Sequence, residues 1–407
     1  MEGRSGHRWR QVEMTSGTQN RVVLYVDSLK IGGAERITLT FARWFAEQGW
    51  STVVLTRQGV EGDFYPIPKG VQRVVEPPEP LWLRRLGRWG FPWRVLRLRS
   101  WLRDQTVHLV VGMTTKPAVK LLLAAHPLEI PAVISERNYP PLKQMTLPWG
   151  ILRRLTYQWA ALHLVQTRAT GAWLERHLGA RPQLLLPNPV QWPLHHFSPA
   201  LDPRAWLQAQ GIAEDAPILL AAGTKSHQKG FDRLVRALVP LTRRCPDLHL
   251  VILGLDAEPY HGVNQQEALY RLLRGDPDVA SRLHFPGRVG NIADWYARSR
   301  FFVLPSRYEG FPNVLLEAMA SGCVCLATDC PHGPADLIVN GRNGILLPLH
   351  ASTGVWVDTI AGLLEDPERC SQLADQALKV RQRYSEASLK DHFLEAVGPL
   401  ISPSIGG

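Results

Sequence analysis

The 407-residue chain has no uninterrupted apolar run approaching the roughly 18 to 20 residues needed to cross a bilayer. This argues against a spanning helix and leaves at most a protein that lies on a membrane. The first twenty residues, MEGRSGHRWRQVEMTSGTQN, lack the apolar stretch of a secretory signal. Residues 1–20 are expected to be a disordered tail outside the fold. Cysteine is scarce. Cys245, Cys323, Cys325, Cys330 and Cys370 have neither paired spacing nor an even count. That argues against a disulfide framework and fits reduced thiols in the cytoplasm. The Cys323-x-Cys325 pair sits in a strand-like run, SGCVCLAT, which favours buried small hydrophobes over a metal site. Asp276-Pro277-Asp278 imitates an Asp-x-Asp metal motif, but aspartates flanking a proline commonly make turns, so no metal and no cofactor are expected. Fourteen histidines include the His195-His196 pair, in a segment where surface or packing roles outweigh catalysis.

With 45% hydrophobic and 20% charged residues, the chain has the composition of an ordinary globular protein that exceeds one core in length. Short runs rich in Val and Leu alternate with segments of helical period, the signature of β-α units and a parallel sheet. RVVLYVDSL reads as a buried strand, KIGGAER as a glycine turn, ITLTFARWFAEQG as an amphipathic helix and STVVLT as the next strand. HLVVGM, PAVIS and QLLLPNPV continue the series to residue 190. QWPLHHFSPALDPR has no clear period, and alternation restarts with PILLAAGT, followed by the strand-like LHLVILG, RLHFPG, RFFVLPS, VCLATDC and NGILLP. The expected domains are 21–190 and 191–385, each Rossmann-like, and a closing helix and tail over 386–407. In doubly wound sheets ligands sit beyond the carboxyl ends of strands, so the loops there are where function is sought.

Acidic residues are fewer than basic ones, 36 against 46, giving a net charge of +10. The shortage is sharpest in LWLRRLGRWGFPWRVLRLRSWLR, 81–103, with seven arginines, four tryptophans and no acid. Arg and Trp interleaved with Leu describe an anionic membrane interface, and like charges this dense call for an anionic partner. The plainer alternative is a helix pair packing Trp and Leu inward. No nucleic-acid motif accompanies the segment, so nucleic acid is not the expected partner.

Against that background two carboxylates stand out in PSRYEGFPNVLLEAMASG, where Glu309 and Glu317 flank a Gly-Phe-Pro-Asn turn. RFFVLPS is a strand, RYEGF the loop at its carboxyl end, and Pro312 suits the first helical position. The amides of Gly310, Phe311 and Asn313 then lie near a helix N-terminus, where an anion such as phosphate is favoured. A carboxylate beside a diphosphate is repelled, so the two acids should face paired hydroxyls: Glu317 a ribose diol, Glu309 the hydroxyls or anomeric carbon of a sugar. The bland reading is a turn residue and a solvated helix position. In PILLAAGTKSHQKGFDRLVRAL, Lys225 and Lys229 flank a second turn at a strand's carboxyl end and can neutralise a diphosphate leaving group; solvated loop lysines are the alternative. Gly32 and Gly33 follow the first strand, which permits close backbone approach to a ligand or simply a tight turn.

These residues resemble the retaining glycosyltransferases of family 4. The resemblance runs from GGAE at 32–35 through NPV at 188–190 to the Asn340–Gly344 loop, and is most specific in EGFPNVLLE. It implies the GT-B fold, two Rossmann-like doubly wound parallel-sheet domains facing a central cleft, with an N-terminal acceptor-binding and a C-terminal nucleotide-sugar-binding domain. It also implies that Glu317 binds ribose, that Glu309 lies by the donor sugar, and that the Gly310-Phe311-Pro312-Asn313 backbone meets sugar and phosphate. Lys229 matches the family's basic residue. The family's arginine position is Thr224 here, with Lys225 as a substitute charge. The resemblance further implies that PGRVGNI at 286–292 is the loop that holds the base, around Val289, and that Gly33 faces donor phosphate and acceptor. Many members carry a histidine where this chain has Glu136, in SERNYPP; that loop, with TTK at 114–116, looks like the subgroup acting on polyprenyl-diphosphate-linked sugars. Glu136 is then expected to hold a donor or acceptor hydroxyl, and Arg137 and Lys116 the carrier's phosphates, with a structural Glu-Arg turn as the alternative.

The expectation is a metal-independent, retaining transfer of a hexose or N-acetylhexosamine from a UDP-sugar to a lipid-linked glycan acceptor, in surface polysaccharide or glycoconjugate synthesis, by a cytoplasmic enzyme held peripherally on the inner membrane face. Alternatives are a GDP-sugar transferase of the mannosyl type with a soluble acceptor, a non-catalytic sugar-nucleotide-binding protein, and a sugar-nucleotide epimerase. The last helix is expected to return to the first domain.

Overall fold

The computed structural model describes residues 20–30, 32–137, 140–142, 145–256, 262–273 and 275–401. The tail expected over residues 1–20 lies outside them except for Asn20. The chain divides into two units. One runs to Leu186 and resumes at Lys390, and the other is Pro187–Leu389.

The first unit is built on seven parallel strands: β1 (Arg21–Val26), β2 (Ser51–Thr56), β3 (Val71–Val75), β4 (Leu109–Met113), β5 (Ala132–Glu136), β6 (Leu162–Val165) and β7 (Gln183–Leu185). They lie in the order β3-β2-β1-β4-β5-β6-β7. The central strands read as unbroken apolar runs because helices cover both faces of a parallel sheet. In register, Leu24 pairs with Val54 on one side and Val111 on the other, all buried. Two strands are absent from the sequence reading. β3 is an edge strand carrying Gln72 and Arg73, so its apolar signal is weak. β6 is only LHLV, and its His163 is buried because its Nε2 lies 3.0 Å from the Tyr157 carbonyl oxygen.

The second unit has six parallel strands: β8 (Ile218–Ala222), β9 (His249–Leu253), β10 (Leu283–Gly287), β11 (Phe301–Leu304), β12 (Val324–Asp329) and β13 (Ile345–Pro348). Their order is β10-β9-β8-β11-β12-β13. Strand order therefore reverses direction between β1 and β4 in one sheet and between β8 and β11 in the other. These are the switch points at which loops diverge to leave a crevice.

Cys323 and Cys325 are buried around β12, and burial pushes the Cys323 thiol up to about 12. Asp276 caps the short Pro277–Ala280 helix, accepting from the Val279 amide at 3.1 Å. Among the described residues no helix is long and apolar enough to cross a membrane. The division between units falls within the Glu386–Val397 helix, and its later part packs on the Gly33–Glu47 helix of the first unit. Phe393, fully buried, stacks on Phe41 at 4.7 Å and meets Phe45 at 5.2 Å, and Lys390 pairs with Glu47 at 2.6 Å. Phe393→Ala opens a cavity among these rings and is expected to destabilise the first unit by about 3 kcal/mol or more in urea unfolding. An unshifted transition would show that the closing segment is not part of that core.

Candidate functional site

The chemistry of the second unit gathers at its switch point, where two loops are laced together. β8 runs through Gly223, Thr224 and Lys225 into a short helix, Ser226–Lys229, and then by Gly230 into the Phe231–Arg244 helix. Gly230 has φ 68°, and a Cβ there would stand 2.0 Å from the Pro305 carbonyl oxygen, so only glycine allows this approach. Pro305 begins the loop after β11. From it, the Arg307 amide donates to the Gln228 carbonyl at 2.8 Å, and the Arg307 guanidinium grips both Asp232 oxygens at 2.7 and 2.8 Å. That bidentate bond holds the Arg307 guanidinium above its usual pKa.

The lacing fixes Lys229 Nζ at 2.8 Å from Glu309 Oε1, with both side chains largely out of water. The Ser306 hydroxyl donates to the same oxygen at 2.5 Å, and the Ser306 carbonyl accepts from Thr328 of β12. Oε2 of Glu309 has no hydrogen-bond partner among the described residues. Behind the pair, burial, reinforced by the Glu309 charge, pushes the Cys330 thiol up to about 12.

Two local expectations are corrected. Pro312 precedes the Asn313–Ala320 helix instead of opening it. The Asn313 amide is also already used, donating to the Phe311 carbonyl at 3.0 Å, because the chain tightens there. The amides of Gly310 and Phe311 carry no hydrogen bond among the described residues. The Asn313 side chain instead accepts from Asn188 Nδ2 at 2.7 Å, which ties the helix start to the Pro187-Asn188-Pro189 segment. Glu317 lies one turn further on, half-buried, and burial, reinforced by the Glu317 charge, raises the Tyr296 hydroxyl pKa well above the usual value. Lys225 is exposed at the mouth of its loop, whose backbone Gln265 holds through the Ser226 amide and the Thr224 carbonyl. Val289 is half-buried in the loop after β10. That loop is fixed at Gly290, where a Cβ would meet the Phe197 carbonyl oxygen at 2.0 Å.

In the first unit, Gly33 is the exposed first residue of its helix at the β1 end of the switch point. Lys116, in the first turn of the Thr115–Ala125 helix, lies with Nζ 5.7 Å from the Trp149 ring centroid. Arg137 is tethered: its Nε donates to Ser135 Oγ at 2.7 Å, and its guanidinium lies 5.2 Å from the Phe41 ring. Glu136 overturns the expectation of a hydroxyl-holding catalytic group. It is buried, and Oε2 accepts from Arg153 at 2.8 Å, Tyr157 at 3.1 Å and Thr115 at 3.1 Å. With Oε1 also bonded to Thr115, at 3.2 Å, both oxygens are committed to a structural network. Ser306, Gln228, Gln265 and the Arg307–Asp232 pair went unnoticed in the sequence. Only Ser306 has a local signal, three residues before Glu309.

Two doubly wound sheets with functional loops at their switch points define a GT-B fold. Comparison with known proteins narrows the class. Residues 31–191 match the family model described as Glycosyltransferase Family 4, and residues 216–366 match that of Glycosyl transferases group 1. Together they assign the chain to the glycosyltransferases of the GT-B fold. D-inositol 3-phosphate glycosyltransferase 2 of Catenulispora acidiphila is 32% identical over 195 residues, 47% of this chain and 45% of that protein. The lipopolysaccharide core biosynthesis mannosyltransferase LpsB of Rhizobium meliloti is 30% identical over 183 residues, 45% of this chain and 51% of that protein. The chain thus spans about half the length of these curated relatives. HepE of Anabaena, solved in complex with UDP and glucose, has a TM-score of 0.73 over 94% of this chain and 100% of that one at 20% identity, a likeness of fold.

Removing one partner of a buried ion pair strands the other, so Lys229→Met is expected to destabilise the second unit by about 3 kcal/mol in urea unfolding. Adding Glu309→Leu should recover most of that loss. Two single variants each within about 0.5 kcal/mol of the parent would contradict the burial of the pair.

Proposed function

We propose that the chain is a retaining glycosyltransferase moving a hexose or N-acetylhexosamine from a UDP-sugar to a lipid-linked glycan acceptor, in surface polysaccharide or glycoconjugate synthesis. The observation that carries this reading is the Lys229–Glu309 pair, 2.8 Å apart beside the Gly310 and Phe311 amides at a switch point. An ammonium and free amides suit a diphosphate, and a carboxylate with an open oxygen suits sugar hydroxyls.

In this reading Lys229 and Lys225 neutralise the diphosphate, Gly310 and Phe311 donate to it, and Pro312 and Asn313 shape the turn that aims them. Glu317 holds the ribose diol, and the loop at Val289 borders the base. Glu309 positions the sugar. The anomeric carbon–oxygen bond to the diphosphate breaks while the acceptor hydroxyl attacks from the same face, and its proton passes to the departing phosphate oxygen. Lys229 lowers the barrier by meeting charge as it develops on that leaving group. On the acceptor side, Gly33 borders the substrates, and Lys116 and Arg137 supply charge for carrier phosphates. The 81–103 segment provides contact with an anionic membrane on the cytoplasmic side. A GDP-sugar is the alternative donor, favoured by the likeness to a mannosyltransferase.

The test is thermal unfolding of the full chain with UDP, GDP and their sugars, followed by sugar-nucleotide hydrolysis. UDP is expected to raise the unfolding temperature, and Lys229→Ala to lower hydrolysis about a hundredfold or more. Stabilisation by GDP alone would transfer the reading to the alternative donor. If no sugar nucleotide binds or is cleaved, the transferase reading fails.

A further inference from the structure

The Leu147–Thr156 helix leaves part of its apolar surface exposed. Leu147, Ile151 and Leu155 stand at i, i+4 and i+8 on one face, and they are 77%, 51% and 56% exposed. The charged Arg153 points inward, ion-paired to buried Glu136 at 2.8 Å, with its guanidinium 5.0 Å from the Tyr157 ring and 5.4 Å from the Trp173 ring. The helix is held on its inner side by Arg153 together with Trp149 and Leu152, which pack against the core, while Arg154 is exposed and three aliphatic side chains face out as a contiguous stripe. Such a stripe marks a surface that something covers.

Its neighbours say what. The Phe91 ring packs edge-on against Trp149 at 5.1 Å, so the helix is continuous with the 81–103 segment. There, Trp82, Trp89 and Trp93 are exposed, and Arg84, Arg85 and Arg88 are exposed without an ion pair among the described residues. Exposed indoles among free guanidiniums are complementary to anionic headgroups, and stable attachment takes both an apolar insertion and a basic patch. Between the two elements opens a cavity of about 1000 Å³, whose lining includes Arg88, Trp89, Lys116, Trp149 and Leu152.

We propose that the Leu147–Thr156 helix and the 81–103 segment form one docking face for an anionic lipid bilayer, and that the cavity between them admits the anionic head of an amphiphile from that bilayer. The use of that amphiphile as acceptor rests on the transferase reading; the docking does not.

The test sediments the full chain with vesicles of phosphatidylcholine, alone or mixed with equal parts of phosphatidylglycerol. Binding is expected to the mixed vesicles. It should weaken about tenfold or more in a Leu147→Ser/Ile151→Ser/Leu155→Ser variant and in an Arg84→Glu/Arg85→Glu/Arg88→Glu variant, with the unfolding temperature and UDP response of both unchanged. Vesicle binding by the triple-serine variant equal to the parent's would overturn the role of the helix. A dimer of the parent in sedimentation velocity that the serine substitutions abolish, without vesicle binding, would replace the bilayer with a second copy. Loss of UDP binding by the parent with vesicle binding intact would sink the transferase reading and leave the docking face standing.

Discussion

Everything in the second unit is arranged to keep one ammonium and one carboxylate in contact at the ends of two neighbouring strands. Lys229 and Glu309 are 80 residues apart and meet because Gly230 lets one loop press on Pro305 of the other, and because Arg307 clamps Asp232 across the same seam. Out of water their attraction is several times what it would be on the surface, and so is the penalty for separating them. An ammonium held this way keeps one donor on Glu309 and offers others to an incoming anion. The carboxylate, engaged through a single oxygen, keeps acceptor capacity for hydroxyls. In the proposed transferase reading, the pair is a preorganised site for a molecule carrying both phosphates and alcohols.

The first unit uses the same chemistry to a different end. Glu136 has both oxygens taken by Thr115, Arg153 and Tyr157, and Lys120 is spent on Glu76 and the Tyr25 hydroxyl. The Glu136 contacts are internal to the fold, whereas Tyr25 and Lys120 also line the cavity beside the Leu147–Thr156 helix. Glu309 and Glu136 lie at or beyond the carboxyl end of a parallel strand, and they differ in how many of their lone pairs the protein has already filled. One of the partners of Glu136, Arg153, is drawn inward from the Leu147–Thr156 helix.

What the sequence revealed was what is local. All six strands of the second unit are apolar runs of the right length, and Glu309, Gly310, Phe311 and Glu317 sit in one short segment read directly from its turn and helix signals. Pairings made across long stretches of chain left no such trace. Asp232 and Arg307 are 75 residues apart, and Arg153 lies one helix beyond Glu136, so neither partner could be named from spacing. β3 and β6 escaped notice because an edge position and a buried histidine both dilute the apolar pattern. The exposed stripe of the Leu147–Thr156 helix was invisible for the opposite reason: it looks like an ordinary core face until the fold shows Leu147, Ile151 and Leu155 outside.

The most direct measurement of the central claim is a crystal structure of the full chain with UDP bound. The account predicts phosphate oxygens within hydrogen-bond reach of Lys229 Nζ and of the Gly310 or Phe311 amide, with the ribose hydroxyls on Glu317. A nucleotide bound elsewhere, with the Lys229–Glu309 contact facing only protein, would contradict it.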